Sequence, residues 1–225
     1  MGAISVDQLG HLFWLGRYLE RVKTTLGVSD SIYDRLLDND PEMDVHDLCE
    51  RLAIPDIYES PDDFITKYLF DEDDPNSVIS NLNRAFDNAV VTRDCLQSVT
   101  LSYVQLALNS MKRGKKSVSP MLEVQETLDY IYAFWGALDD FVPTTQMRYT
   151  VKTGGTLERL DLALRLDVDN IPLAGLISRL SSRLYRSGLG YDSEAFQRIT
   201  EHAEHDDCEQ FKHELVEDVE SLIKL

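Results

Sequence analysis

Two short runs carry residues that could do chemistry together. "FWLGRYLER" at 13–21 and "VKTGGTLER" at 151–159 each end in Leu-Glu-Arg, with a glycine four residues before the glutamate. Gly16, Glu20 and Arg21 thus correspond to Gly154, Glu158 and Arg159, and the likeness continues through "VKTTL" and "LDLAL". Residues four apart on a helix stack on one face, so each glycine lies one turn below its glutamate. A missing side chain there lets another backbone approach or leaves room for a ligand. Glu20 follows Leu19 and Glu158 follows Leu157, so both carboxylates flank an apolar stripe and are expected to be at least partly buried. A buried carboxylate must be paired or protonated.

Two chemistries follow from that requirement. Arg21 and Arg159 point about 100° away from the glutamates beside them, so they are expected to reach across to the partner helix. In the first reading the glutamates and arginines form an inter-helix network that fixes how two pseudo-symmetric helices cross. In the second, Glu20, Glu158, Arg17, Arg21, Arg159 and Asp161 line a polar pocket for an amine, a carboxylate or a metal. One buried glutamate with a raised pKa would then serve as a general base. Buried ion pairs commonly specify geometry, which favours the network. Asn88, Arg93 and Asp94, on a central helical pattern, are expected to be a polar layer of the same network.

A separate cluster, "HAEHDDCEQFKH", supplies His202, His205, Cys208 and His213, which are zinc-ligand types at helical spacing. His213 lies two turns beyond the first pair, and the surrounding acids point to a solvated face instead. No phosphate loop, dinucleotide fingerprint or nucleophile elbow occurs, so no motif assigns a cofactor or ATP to this chain.

The elements that must position these residues are helical. In 225 residues, 43% are hydrophobic, enough for one substantial core, and the whole of 1–225 reads as a single domain. Forty acidic against 22 basic residues give a formal charge of −18, which argues against broad nucleic-acid binding and against attraction to anionic membranes. Three scattered cysteines make neither a disulfide framework nor a zinc knuckle and fit a reducing cytoplasm. The first residues lack the pattern of a secretory signal, and no apolar run approaches a membrane span, so the reading is cytoplasmic.

Apolar spacing of three and four predicts a long helix from Ser5 through Leu37, with "DNDP" ending it. Two short helices follow in "VHDLCERLAI" and "SPDDFITKYLF", the second capped by Ser60 with Pro61 in its first turn. A single helix is predicted over Ser77–Met111, closed by "KRGKK" with Gly114 at the turn. Further helices are predicted over Ser119–Phe141, from Thr144 or Thr145 to Leu166 with an interruption at Gly154-Gly155, and from Pro172 to Tyr185. "SGLGYDS" reads as a loop before one or two acidic helices. The expected fold is all-α, a bundle of about seven to nine helices with an internally duplicated Gly-x-x-x-Glu-Arg helix.

Three segments, "LFWLGRYLERVKTT", "DPNSVISNLNRAFDNAVVTRDCL" and "GGTLERLDLALRL", resemble the alpha-E family, an all-helical family named for its Glu-Arg motif. The middle segment is similar to its Asp-Pro-x-Ser-Ile and Asn-Ala-x-x-x-Arg-Asp patterns at Asp74, Pro75, Ser77, Val78, Asn88, Ala89, Arg93 and Asp94. Gly155 stands where the second copy usually has arginine, Lys23 where the first usually has an acid, and Phe86 where an arginine is expected. Alpha-E proteins typically accompany, or are fused to, ATP-grasp ligases of the amide- and peptide-forming kind. The resemblance implies a helical accessory subunit or substrate-presenting partner of such a ligase in a peptide synthesis or modification pathway, with an amine or peptide as substrate. A stand-alone enzyme and a purely structural helical module remain the alternatives.

Overall fold

Ser5 and Gln8 cap each other at the start of the first helix: the Gln8 amide donates to Ser5 Oγ at 3.2 Å and the Ser5 amide to Gln8 Oε1 at 3.1 Å. Two orphan amides are thereby satisfied where the apolar stripe begins. The computed structural model describes residues 4–37, 44–166, 173–205, 208 and 210–225, with side chains except at 30–37 and 204–205. "DNDP" and Pro172 lie outside them. In chain order the elements are α1 (Val6–Leu37), α2 (Val45–Leu52), α3 (Pro61–Phe70), α4 (Val78–Val91), α5 (Arg93–Gly114) and α6 (Pro120–Phe141). Then come α7 (Thr145–Leu166), α8 (Leu173–Ser187), β1 (Gly190–Tyr191), α9 (Ser193–His205), α10 (Lys212–Ser221) and β2 (Ile223–Lys224).

The protein is all-α, with ten helices among the described residues. The count exceeds seven to nine because the run expected as one helix from Ser77 to Met111 divides at Thr92. Thr92 turns its hydroxyl back onto the Asn88 carbonyl at 2.7 Å, the local bonding that lets threonine compete with the helix ladder. Gln97, just beyond, has φ 63° and ψ 156°, a conformation suited to glycine. "SGLGYDS" also differs from expectation: Gly190 and Tyr191 pair antiparallel with Lys224 and Ile223 in a two-residue ribbon.

Internal contacts divide the chain into two units. The first comprises 1–20 and 143–225, the second 21–142. In the first, Phe13, Leu157, Leu160 and Leu164 pack with Leu176, Leu180, Leu184, Ile199, Leu215 and Val219 in one apolar core. α7 and α8 form a helical hairpin in this unit, and α7 runs unbroken through Gly154-Gly155, contrary to the expected interruption.

In the second unit α5 and α6 pack as an antiparallel hairpin, with Leu96, Met111, Ile131 and Phe134 fully or almost fully buried. Ser60 and Pro61 open α3 as expected, the Asp63 amide donating to Ser60 Oγ at 3.2 Å. Gly114 ends α5 for a different reason from the one anticipated. A Cβ there would sit 2.8 Å from Cε1 of Phe70, so this glycine makes room for an aromatic ring.

Candidate functional site

The Glu-Arg site is built where α1 crosses α7 within the first unit. A Cβ on Gly16 would be driven into the Val151 carbonyl oxygen, and it would lie 3.0 Å from the Gly155 nitrogen. A Cβ on Gly154 would be driven into the Phe13 carbonyl oxygen, with the Arg17 nitrogen at 3.2 Å. Each glycine thus receives the carbonyl three residues before its counterpart, a local two-fold relation between the copies. Main chain meets main chain at the crossing. The glycines admit another helix there, which answers the choice between helix and ligand at these two positions.

That close approach dictates who meets the carboxylates. Glu20, Glu158 and Asp161 are 4%, 1% and 1% exposed, so the expected burial is complete. Arg17, itself 8% exposed, crosses from α1 and places Nε 2.5 Å from Glu158 Oε2, with Nη2 3.7 Å from Asp161 Oδ2. The guanidinium of Arg17 also lies over Trp14, whose ring centroid is 5.5 Å from Cζ. Asp161 Oδ1 accepts from Arg165 Nε at 2.8 Å, and Arg165 Nη2 continues to Glu220 Oε1 on α10 at 2.6 Å. Charges of alternating sign therefore run from the surface at Glu220 to the buried Glu158. Burial still pushes the Asp161 carboxyl above its ordinary range, opposed by Arg165 and, more weakly, by Arg17.

The two-fold relation fails in one place. Arg159 reaches back across the crossing, as expected, but its Nε stays 3.9 Å from Glu20 Oε1, an ion pair without hydrogen-bond geometry. The counterpart of Arg17 is Gly155, so the second copy does not offer Glu20 the arginine that the first offers Glu158.

Arg17, Glu20, Glu158, Arg159 and Asp161 are therefore brought together. Arg21 belongs to the second unit, where its charge acts on Tyr68 of α3, a buried phenol pushed upward by desolvation. Asn88 Nδ2 donates to the Arg84 carbonyl at 2.7 Å in α4. Arg93 and Asp94 have side chains 73% and 91% exposed, 4.0 Å apart at the start of α5. Asp74 organises a loop, accepting from the Asn76 amide at 2.8 Å and from the Tyr58 hydroxyl at 3.3 Å. Ser77 caps α4 through the Ser80 amide at 3.2 Å.

Arg165 and Trp14 were missed in the sequence. The first has a signal that could have found it, since Asp161 and Arg165 are four apart on one helix. Of the metal candidates, His202 packs on the Phe211 ring at 4.2 Å, and His213 pairs with Glu217 at 3.5 Å. The side chain of His205 lies outside the described residues. Among the described residues no group of three or more His, Cys, Asp or Glu is placed to hold a metal. No described helix is long and apolar enough to cross a membrane.

Crossed helices joined by a glycine contact and a buried Glu-Arg layer define a class: helical proteins organised by an internally repeated Glu-Arg motif. The family model for Alpha-E, described as a predicted alpha-helical domain with a conserved ER motif, matches residues 9–171. The match covers well over half of the chain and takes in both copies of the motif; the chain belongs to the Alpha-E family. No curated protein and no solved structure matches it.

Proposed function

We propose that this chain is a helical accessory subunit of an ATP-grasp-type amide or peptide ligase, acting through its surface, with the Glu-Arg layer as the internal brace of the fold. One observation carries the second half of that reading. Arg17, Glu158, Asp161, Arg159 and Glu20 are turned toward each other across a backbone-to-backbone helix crossing, with Arg17 Nε 2.5 Å from Glu158 Oε2. A carboxylate so engaged, 1% exposed and held by a guanidinium from the opposing helix, would have to break that contact before it could reach a substrate. The ligase half rests on the resemblance of "LFWLGRYLERVKTT" and "GGTLERLDLALRL" to a family that accompanies such ligases. The ligase would activate a carboxylate with ATP, and this chain would complete or position it.

The test is co-purification of the native protein under mild conditions, with bound proteins identified by mass spectrometry. An ATP-grasp ligase at near-equal abundance supports the reading; its consistent absence overturns it. Glu158→Gln separates brace from pocket. Loss of a buried, charge-balanced partner should cost about 3 kcal/mol, or about 10 °C of melting temperature. A variant that melts like the parent yet abolishes pathway output would instead make the layer a ligand site.

A further inference from the structure

In a protein of formal charge −18, one face of the first unit is basic. α8 carries Arg179, Arg183 and Arg186 and no acid, and the two acids of α7, Glu158 and Asp161, are buried. Arg148, Lys152 and Arg159 of α7 are spaced by four and seven residues, and so fall on one helical face. Arg179, Arg183 and Arg186 repeat the device on α8 with spacings of four and three. The hairpin brings the two rows side by side. Arg183 Nη1 donates to the Lys152 carbonyl at 3.0 Å and to the Thr156 hydroxyl. Arg186 lies over the Tyr149 ring at 4.9 Å and also donates to its hydroxyl, while Lys152 Nζ lies 5.4 Å from the same ring centroid.

These contacts pre-orient the cations, which lowers the entropy lost when an anion is gripped. The row on α7 is about 16 Å long at 1.5 Å per residue. Arg148 and Lys152 are about 6 Å apart along the axis, close to the spacing of alternate side chains in an extended chain.

We propose that the α7–α8 face is a docking surface for a short acidic polypeptide segment, its alternate carboxylates pairing with the two rows of cations. Charge complementarity selects the occupant's sign, and two observations select its kind. The long-range field of the molecule repels extended polyanions such as nucleic acid or an anionic bilayer, while a segment of about five residues spans the patch. The ring inside the patch, Tyr149, is covered by Arg186 and Lys152, so it does not offer the open stacking platform that single-stranded nucleic acid uses. Of its cations only Arg159 also belongs to the Glu-Arg layer, and the surface stands whether or not the partner is a ligase.

The probe is a fluorescein-labelled peptide of about eight glutamates, long enough to cover the row, followed by anisotropy at low salt. Saturable binding is expected, weakened roughly tenfold or more by Arg179→Glu/Arg186→Glu and again by raised salt. Circular dichroism melts should leave that variant folded, because both side chains are exposed. Lys112→Glu/Lys116→Glu, an equal change of charge on exposed residues in the second unit, should leave binding within about twofold. Absence of peptide binding, or binding indifferent to the Arg179/Arg186 pair, overturns the proposal. So does tighter binding of a single-stranded oligonucleotide of equal charge.

Discussion

Gly16 and Gly154 are the residues on which the site's geometry turns. An alanine at either position is favoured by helix propensity by about 1 kcal/mol, yet its Cβ collides with a carbonyl oxygen of the opposing backbone. Backbone in a packed crossing cannot swing aside as a flexible side chain does, so the helices must separate and loosen the Arg17–Glu158 contact with them. The collision wins: Gly16→Ala and Gly154→Ala should each destabilise by about 2–4 kcal/mol net. Gly10 is the internal control. It lies on the same helix, and a Cβ there meets nothing within 4 Å. Gly10→Ala should therefore stabilise by about 0.5–1 kcal/mol. Urea denaturation of the three variants checks both signs; equal effects at Gly10 and Gly16 would remove the crossing argument.

Whole elements were legible wherever a local rule acts alone. The Ser60-Pro61 start of α3, the long apolar stripe of α1 and the repeated Gly-x-x-x-Glu-Arg all rest on spacing or capping within one segment. What stayed hidden depends on a partner. Arg17 and Arg21 stand one turn apart on nearly the same face of α1, and nothing within that segment tells that Arg17 meets Glu158 while the charge of Arg21 acts on Tyr68. The α4–α5 joint was hidden for another reason, since neither Gly nor Pro marks it. Gln97 there holds a positive φ that costs a non-glycine residue about 1–3 kcal/mol. Gln97→Gly should raise stability by roughly 1 kcal/mol, net of the greater entropy of the unfolded chain. A lower denaturation midpoint would show that the joint is not strained.

The α5–α6 hairpin carries a pH signature of its own. Glu126 accepts from Ser110 Oγ at 2.9 Å and from the Tyr130 hydroxyl at 2.9 Å, and it also pairs with Arg113. The Ser110 hydrogen bond first, then Tyr130 and Arg113, hold its carboxyl below the ordinary glutamate range. A carboxyl depressed by folding stabilises the native state above its unfolded pKa and loses that contribution as pH falls toward the folded value. Glu126→Gln should therefore be less stable than the parent at neutral pH, with the gap closing as pH drops from about 5 toward 3. A gap independent of pH would assign the effect to packing.

At the scale of the whole molecule, a formal charge of −18 over 225 residues makes self-repulsion a general cost of folding. Exposed charges a Debye length apart are decoupled by salt, about 10 Å at 0.1 M, whereas a buried pair is screened far less. Two consequences of opposite character follow. The melting temperature of the parent should rise as sodium chloride goes from about 20 to 300 mM, because repulsion among the surface acids is relieved. The deficit of Glu158→Gln relative to the parent should stay nearly constant across the same range, since Glu158 is 1% exposed and Arg17 is 8% exposed. Were the Glu-Arg layer open to water, salt would shrink that deficit toward the 0–1 kcal/mol typical of surface pairs. Thermal melts of both proteins at low and high salt thus test burial of the layer directly, independently of any partner or substrate.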